Sequence, residues 1–441
     1  MRNRRPGSSA KTSAFFLLGS ALIGCRQPPP EPVTLQYTYS WNEDRLIKLR
    51  LQQFTKETGI RVKGIPIPEY TGDYLELVHK LLKNGSGIDI LNVDFIWSPI
   101  IEPDAIDLKP YLAAEIAQLD PQLVLSYTVN GKLVAVPFNV PLGGLEYRPD
   151  LLREYGYDRP PKTWNELESM AARIQAGERA KGIKDFWGYV WQGAAGEALT
   201  CNALEWQASA GGGRIIERDR TISVNNPAAI QAWQRARHWI GWISPPSVLA
   251  FRELDSILVF DSGKAAFNRI WFLTPMTSSG QARQIGWRSF RPSVLETGFA
   301  RMPAGAGGSA SALGGTGTAV SLRSTHRREA LAFLRFQLRV LMHVNETDSG
   351  TGGPVHAESP DPSAPRVFQI ASNQRAIIVA RPSVAVGGKY KQVSKAYIDA
   401  VHAVLAGQRA APDAAAELEK QLIEITGFPA GPPNTADQMV R

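Results

Sequence analysis

Hydrophobic and polar positions along this chain alternate in blocks that predict strands and helices in turn. The pattern predicts strands over Leu35–Tyr39, Ile60–Ile67 and Ile88–Ile96, separated by helices over Asn42–Thr58 and Tyr74–Leu82. A strand-helix-strand-helix-strand order places the strands side by side in parallel, so we expect a mostly parallel sheet. Such sheets bind ligands at the loops that follow their strand ends.

A change of pattern follows the dipeptide Asn130-Gly131, which favours the two positive-φ positions of a tight hairpin turn. An apolar strand is predicted over Leu133–Val136. Pro137 and Pro141 cannot donate to a ladder, so we expect the sheet to end there. A new strand over Leu145–Tyr147 then leads into a helix. This order predicts that the chain crosses here from one lobe to another.

The second half of the chain continues the alternation. Strands are predicted over Phe186–Trp191 and Lys264–Trp271, and helices after the caps Thr163, Asn226 and Ser324 and over about 197–211, 254–260, 392–406 and 413–425. The glycine-rich segment Gly305–Ala310 imitates a dinucleotide fingerprint, but Pro303 before it and the lack of an immediate helix predict a loop instead. Asn345–Pro365 is predicted to be a loop as well.

The N-terminus has the pattern of a secretory signal. Arg2, Arg4, Arg5 and Lys11 precede an apolar run that is too short for a stable membrane span. The run ends in Leu-Ile-Gly followed by Cys25, which resembles the lipobox of bacterial lipoproteins. We therefore expect residues 1–24 to be removed and Cys25 to carry lipid. Residues 25–33 would form a stiff, proline-rich tether.

Length, charge and cysteine content narrow the function classes. At 441 residues, with 44% hydrophobic and 20% charged residues, the chain fits a globular protein of two lobes. Loss of residues 1–24 removes four cationic and no acidic side chains, so the net charge falls from +8 to +4. We exclude nucleic-acid binding on the modest charge and the export signal. Cys201, left without a cysteine partner, is expected to be buried.

Six segments together resemble one protein family. They are PPKTWNEL at Pro160, FWGYVWQG at Phe186, LTCNALEW at Leu199, ISPPSV at Ile243, FDSGKAAFNRIW at Phe260 and SALGGTGTAVS at Ser311. They are similar to the extracellular solute-binding proteins of ABC sugar importers, in particular the trehalose/maltose-binding lipoproteins. The similarity runs from about Tyr37 to Gly407.

The resemblance implies an α/β fold of two lobes, the periplasmic-binding-protein fold (type II-like), with a ligand cleft between lobes that several crossings join. We expect 34–139 with 300–347 to form lobe 1, and 140–299 with 348–441 to form lobe 2. The expected ligand is a small neutral sugar or glucosyl-polyol, and the expected partners are ABC permease subunits with a cytoplasmic ATPase. The resemblance further implies a lipid-anchored monomer in the periplasmic or extracytoplasmic envelope, without a cofactor.

Sugar sites combine aromatic rings with carboxylate, amide and guanidinium groups that bind hydroxyls. By the resemblance, Trp271 stacks on a sugar ring, Glu43 and Asp94 accept hydroxyls, and Arg381 reaches into the cleft. Asp94 also stands out by itself as a charge within an apolar strand. The further candidates are Trp41, Asn42, Tyr70, Thr71, Asn139, Gly315 and Thr316.

Thr316 marks a departure from the trehalose/maltose binders, which carry a stacking tryptophan after the two glycines. Phe138-Asn139 likewise stands where an aromatic hydroxyl is frequent. Fewer rings cover less apolar sugar face, which favours an α-glucoside smaller or more polar than a maltodextrin.

Two alternatives remain at this level. A glycosidase needs a pair of carboxylates, which Glu43 and Asp94 could supply, although the family uses them for binding. A lipid-anchored sugar sensor would have the same sequence features as a transport protein. The six histidines show no metal-site spacing, and neither HExxH nor GxSxG occurs, so we predict a binding protein without a metal.

Overall fold

A computed structural model describes residues 32–40, 44–67, 71–83, 87–119, 121–272, 295–342 and 376–434. By its contacts the chain divides into two units, Met1–Pro32 and Val33–Arg441, and the fold below is that of the second. Within the described ranges, no helix combines the length and the apolar character needed to cross a membrane.

The order of elements follows the predicted alternation. The strands are β1 (Thr34–Ser40), β2 (Arg61–Ile67), β3 (Ile90–Asp94), β4 (Thr128–Val129), β5 (Lys132–Leu133), β6 (Val136–Asn139), β7 (Leu142–Tyr147), β8 (Trp187–Val190), β9 (Ala265–Phe272), β10 (Gly298–Ala300), β11 (Ala304–Gly305), β12 (Gly308–Ala312), β13 (Thr316–Val320) and β14 (Ala376–Val379). The helices are α1 (Asp44–Thr58), α2 (Thr71–Lys83), α3 (Ser98–Ile101), α4 (Ala113–Ile116), α5 (Pro121–Ser126), α6 (Pro149–Glu154), α7 (Trp164–Ala180), α8 (Glu197–Ser209), α9 (Pro227–Trp239), α10 (Glu253–Asp261), α11 (Arg327–Met342), α12 (Ser383–Val386), α13 (Tyr390–Leu405) and α14 (Ala411–Thr426).

The first half of the chain supplies most of a five-stranded sheet in the order β2-β1-β3-β13-β6. β1 pairs in parallel with both β2 and β3, which confirms the predicted parallel unit. β13 enters from far along the chain and runs antiparallel to β3 and to β6. The sheet is therefore mixed rather than mostly parallel, because its last two strands do not arrive through helical crossovers.

The predicted turn and the predicted end of the sheet had different outcomes. Asn130 (φ 49°) and Gly131 (φ 79°) form the hairpin turn between β4 and β5. The prediction that the sheet ends at Pro137 was wrong, since Pro137 lies within β6 and pairs with Gly317 next to a register shift. β6 is an edge strand with β13 as its neighbour, which is the position in a sheet where proline is tolerated.

Two further sheets lie beyond this crossing. One has the order β10-β7-β9-β8, with α7 and α10 packed on it, and the other has the order β11-β12-β14. The predicted loop at Gly305–Ala310 was wrong, because β11 and β12 form a hairpin there. The buried helix α8 packs against β12, β14, α9 and α13.

Three connecting segments meet where the five-stranded sheet adjoins the other two. The β6–β7 link contains Pro141, the β12–β13 link contains Leu313 and Gly314, and β14 ends at Val379. Leu313 N donates to Val379 O at 2.8 Å, and Gly314 N donates to Pro141 O at 2.9 Å. These backbone bonds hold the three segments side by side, which places the residues that flank them close together.

Candidate functional site

Asp94 lies at the carboxyl end of β3, where sheets of this kind expose functional groups. Its carboxylate accepts from Ile96 N at 3.2 Å and so caps the short 3-10 turn that follows. The side chain is 17% exposed. Burial raises the pKa of Asp94 to about 6, although Arg381 and the Ile96 amide lower it. The carboxylate therefore stays ionised at neutral pH in a poorly hydrated position.

Arg381 follows β14 and lies between two carboxylates from distant parts of the chain. Its Nη1 donates to Glu197 Oε2 at 3.0 Å, and its Nη2 is 3.5 Å from Asp94 Oδ1. The guanidinium also lies over the ring of Phe95, 4.8 Å from the centroid. Its side chain is only 5% exposed. Arg381 thus connects the end of the five-stranded sheet to α8.

Glu197, the first residue of α8, is itself held by hydroxyl groups of α13. Tyr390 Oη donates to Glu197 Oε2 at 2.8 Å, and Ser394 Oγ donates to Glu197 Oε1 at 2.5 Å. The first turn of a helix favours a carboxylate because its amide groups carry partial positive charge. These contacts fix the carboxylate that binds Arg381.

Trp271 lies near the end of β9 and is partly buried. The guanidinium of Arg269 lies over its ring at 4.0 Å from the centroid. A Cβ at Gly314 would come within 2.8 Å of Trp271 Cζ3, so this glycine allows the β12–β13 link to approach the edge of the ring. Arg269 covers one ring face, which makes the opposite face the candidate for stacking on a sugar.

Behind Trp271, Arg269 forms a fully buried ion pair with Glu205 of α8. Arg269 Nη2 and Nε donate to Glu205 Oε1 and Oε2 at 2.7 and 3.2 Å, and both side chains are 0% exposed. Glu205 Oε1 also accepts from Ala312 N at 2.9 Å. A Cβ at Gly143 would overlap Glu205 Oε1, so this position of β7 requires glycine. The pair fixes Arg269 beneath the tryptophan ring.

Thr316 begins β13 and is the Cα partner of Asp94 on one side and of Asn139 on the other. Gly315, immediately before it, has φ 117° and accepts from Phe95 N through its carbonyl at 3.4 Å. Gly315 and Thr316 therefore join the Trp271 side of the site to the Asp94 side. The structure brings together six predicted residues: Asp94, Asn139 (by its backbone), Trp271, Gly315, Thr316 and Arg381.

Other predicted positions cannot be placed in this way. Trp41, Asn42, Glu43 and Tyr70 lie outside the described residues, as do Cys25 and the predicted loop Asn345–Pro365. Thr71 begins α2.

Sequence reasoning missed the residues that hold the candidate groups in place, namely Glu197, Glu205, Arg269, Tyr390 and Ser394. One signal for a buried ion pair was present in the sequence. Glu205 and Arg269 are side chains of opposite charge, and each lies in a largely apolar element, as Asp94 does in β3. Two such charges predict a buried pair, since an isolated buried charge is strongly unfavourable. Glu197 gave no comparable signal.

Among the described residues, neither an exposed thiol nor a cluster of metal-binding side chains is present. Cys201 is a free cysteine and is buried, as predicted. Burial raises the pKa of its thiol to about 12, so it remains protonated and unreactive. In the part of the chain that the structure describes, no group of three or more His, Cys, Asp or Glu side chains could hold a metal ion.

Comparison with known proteins identifies relatives of this chain. A family model described as bacterial extracellular solute-binding protein matches residues 40–339. A Deinococcus radiodurans protein, named a probable ABC transporter-binding protein, is 38% identical over 381 residues, which is 85% of this chain and 89% of that one. The structure of maltose-bound MalE3 from T. maritima is similar with a TM-score of 0.73 and 27% identity, over 89% of this chain and 100% of that one. A solute-binding protein of Agrobacterium radiobacter K84 in complex with ribitol shares the fold, with a TM-score of 0.68 and 21% identity over 90% of this chain and 100% of that one.

Proposed function

Because the chain belongs to the bacterial extracellular solute-binding proteins and is the substrate-binding component of an ABC transporter, we propose that its ligand is a small α-glucoside or disaccharide. Trehalose, sucrose, maltose and glucosylglycerol represent the expected class. The family assignment also confirms the prediction of a binding protein rather than an enzyme. The maltose bound to the T. maritima protein, at 27% identity, supports a sugar as the ligand.

One observation carries this proposal: the segment Gly314–Thr316 links an aromatic ring with one covered face to a carboxylate and a guanidinium that form no close hydrogen bond with each other. Trp271 is backed by Arg269, while Asp94 and Arg381 approach no closer than 3.5 Å. A ring face binds the C–H side of a pyranose, and the charged pair binds its hydroxyls. In this proposal Trp271 holds the glucosyl ring, and Asp94, Arg381 and Glu43 bind its hydroxyls.

The size limit rests on Thr316 and Asn139. Thr316 pairs with both Asp94 and Asn139 across the sheet, directly beside the proposed hydroxyl-binding groups. A threonine and an asparagine there offer hydrogen bonds rather than a second and third aromatic ring. We therefore expect short or polar glucosides to bind more tightly than long maltodextrins.

The proposed mechanism is hinge closure between two lobes around the bound sugar. We assign 34–139 with 300–347 to lobe 1, and 140–299 with 348–441 to lobe 2. The pairings of β10 with β7 and of β12 with β14 favour placing the chain's return to lobe 1 at Leu313–Gly315, so that 300–312 joins lobe 2. The three bonded connecting segments would then act as the hinge.

For the cellular setting we propose a monomer anchored to the cell envelope through lipid on Cys25, with residues 25–33 as the tether. The bound sugar would be delivered to permease subunits that a cytoplasmic ATPase drives. The anchor proposal depends on the signal pattern at the N-terminus, which lies outside the described residues.

Calorimetric titration of the protein without residues 1–24 tests the ligand proposal. The panel contains trehalose, sucrose, glucosylglycerol, maltose and maltotriose, with ribitol included as a polyol without a glucosyl ring. Saturable binding of one of the first four is expected, and Trp271→Ala should weaken it. A clear preference for maltotriose would refute the size limit, and binding of ribitol alone would refute a glucoside as the ligand.

A further inference from the structure

Arg381 is bound tightly on one side and loosely on the other. The bond to Glu197 is 3.0 Å, whereas the approach to Asp94 is 3.5 Å and is an ion pair without a close hydrogen bond. We propose that Glu197 is a positioning residue that keeps Arg381 from closing onto Asp94. It thereby sets the affinity for the ligand and the acid limit of binding, that is, the lowest pH at which the ligand still binds. This inference rests on the proposed function, in which Asp94 and Arg381 bind sugar hydroxyls.

The geometry of Glu197 suits this role. Hydroxyl groups of Tyr390 and Ser394 occupy both of its carboxylate oxygens, and Thr200 contacts Ser394 Oγ at 3.2 Å. The carboxylate is therefore held by two elements, α8 and α13, before it binds Arg381. A group fixed in this way can hold the guanidinium in one orientation without reaching the ligand itself.

Arg381 keeps donors for a ligand while it is held. Nη1 is used by Glu197, and Nη2 makes no bond shorter than the 3.5 Å approach to Asp94 among the described residues. Nε is buried and has no hydrogen-bond partner in the part of the chain that the structure describes. The ring of Phe95 supports the guanidinium from below. Without Glu197, the nearest compensating charge for Arg381 would be Asp94, and a direct pair would occupy both hydroxyl-binding groups.

The charges around Asp94 give the inference a second readout. The groups that face Asp94 are Arg381, Glu197, the hydroxyl groups of Tyr74 and Tyr127, and the Ile96 amide. Burial raises the pKa of Asp94, Arg381 lowers it and Glu197 raises it further. Removing the charge of Glu197 and letting Arg381 approach would both lower the pKa of Asp94. Ligand binding that needs ionised Asp94 would then persist to lower pH.

Glu197→Gln is the test, with Glu253→Gln as the matched control. Glu253 is the first residue of α10, as Glu197 is of α8, and among the described residues its side chain forms no ion pair. Both variants remove a carboxylate from a helix start, so both lose the same favourable interaction with the helix dipole. Binding is measured by calorimetry from pH 4 to 8 with the best glucoside. The carboxyl ¹³C shift of Asp94 is followed over the same range in ligand-free protein, with Asp94→Asn identifying its signal.

We expect Glu197→Gln to weaken binding at pH 7 by about 10- to 100-fold, since Arg381 would then pair with Asp94 and the ligand would have to break that charged pair. Its acid limit and the Asp94 titration should both move to lower pH, while Glu253→Gln matches wild type. Tyr390→Phe, which removes one hydroxyl group from Glu197, should shift both readouts in the same direction by less, and it replaces Glu197→Gln if that variant does not fold.

The outcomes separate the inference from the proposed function. Unchanged affinity and an unchanged Asp94 titration in a folded Glu197→Gln variant would overturn the inference, even if the protein binds sugar. Weaker binding with an unmoved Asp94 titration would also overturn it, because a structural role alone explains that result. If wild type binds no sugar but the Asp94 titration still moves, the positioning of Arg381 stands and the proposed ligand is wrong.

Discussion

The buried pair of Arg269 and Glu205 allows a quantitative prediction. In Glu205→Leu the length of the side chain is roughly kept, but Arg269 retains its charge at 0% exposure without its partner. The Ala312 amide loses its acceptor as well. Breaking a buried ion pair from one side costs about 3 to 5 kcal/mol. We therefore expect Glu205→Leu to lower the free energy of unfolding by about that amount.

The length of the folded unit determines how far this loss of unfolding free energy lowers the melting midpoint. The compact unit Val33–Arg441 unfolds with an entropy of roughly 2.1 cal/mol/K per residue, so the melting midpoint should fall by roughly 4 to 6 °C. Differential scanning calorimetry measures the midpoint, and urea unfolding measures the free energy. Sugar affinity should fall too, since Arg269 backs the ring of Trp271.

A double-mutant cycle provides the control. Glu205→Leu combined with Arg269→Met removes both charges, so the double variant should be more stable than Glu205→Leu alone. Asp399→Asn breaks an exposed pair with Lys395, whose side chains are 72% (Lys395) and 56% (Asp399) exposed, and should change the free energy of unfolding by less than about 0.5 kcal/mol. If Glu205→Leu stays within about 1 kcal/mol of wild type, or if the double variant is the least stable, the account of the buried pair is refuted.

Three further predictions concern the site and the anchor. Trp271→Ala and Arg381→Ala should each weaken binding of the best glucoside by about 1 to 3 kcal/mol in calorimetry, and wild-type affinity in both would remove the proposed site. Because burial raises the pKa of Asp94 from 3.8 to about 6, the folded state binds the proton of this carboxyl group more tightly than the unfolded chain does. The free energy of unfolding should therefore fall by up to about 3 kcal/mol as the pH rises from 3.8 to about 6. Asp94→Asn should therefore have a higher melting midpoint than ligand-free wild type at pH 7 and the same midpoint near pH 4. It should also lose sugar affinity. Equal midpoints of the two proteins at both pH values would contradict the raised pKa of Asp94. Cys25→Ala should abolish membrane association of the expressed protein in fractionation, and continued membrane association after a high-salt wash would argue against a lipid anchor.

Local signals in the sequence predicted much of the secondary structure. The turn at Asn130-Gly131 and the start of α9 at Pro227 were predicted from side chains that act over two or three residues. Asn226 accepts from Ala228 N and Ala229 N at 3.0 Å each, as its capping role requires. The parallel unit of β1, β2 and β3 followed from the alternation of periodicities, because short connections restrict how such elements can pack.

The candidate site was predictable where a residue conflicted with its surroundings or matched a family motif. Asp94 was visible as a charge in an apolar strand, and Trp271 and Arg381 came from the resemblance. The edge position of Pro137 was not predictable, because it depends on β13, which lies about 180 residues further along the chain.

Only the tertiary structure revealed that Glu197 holds Arg381 and that Glu205 holds Arg269. Glu197 and Arg381 are 184 residues apart, and Glu205 and Arg269 are 64 apart. A carboxylate at a helix start has the same local pattern whether it faces water or a guanidinium, so the sequence around Glu197 could not distinguish the two. The sequence by itself predicted most of the helices and strands and, through the family resemblance, the candidate residues for binding a sugar. The packing of α8 against β14 and α13 decided which charges compensate each other, because Coulomb energies depend on distances that only the folded chain sets.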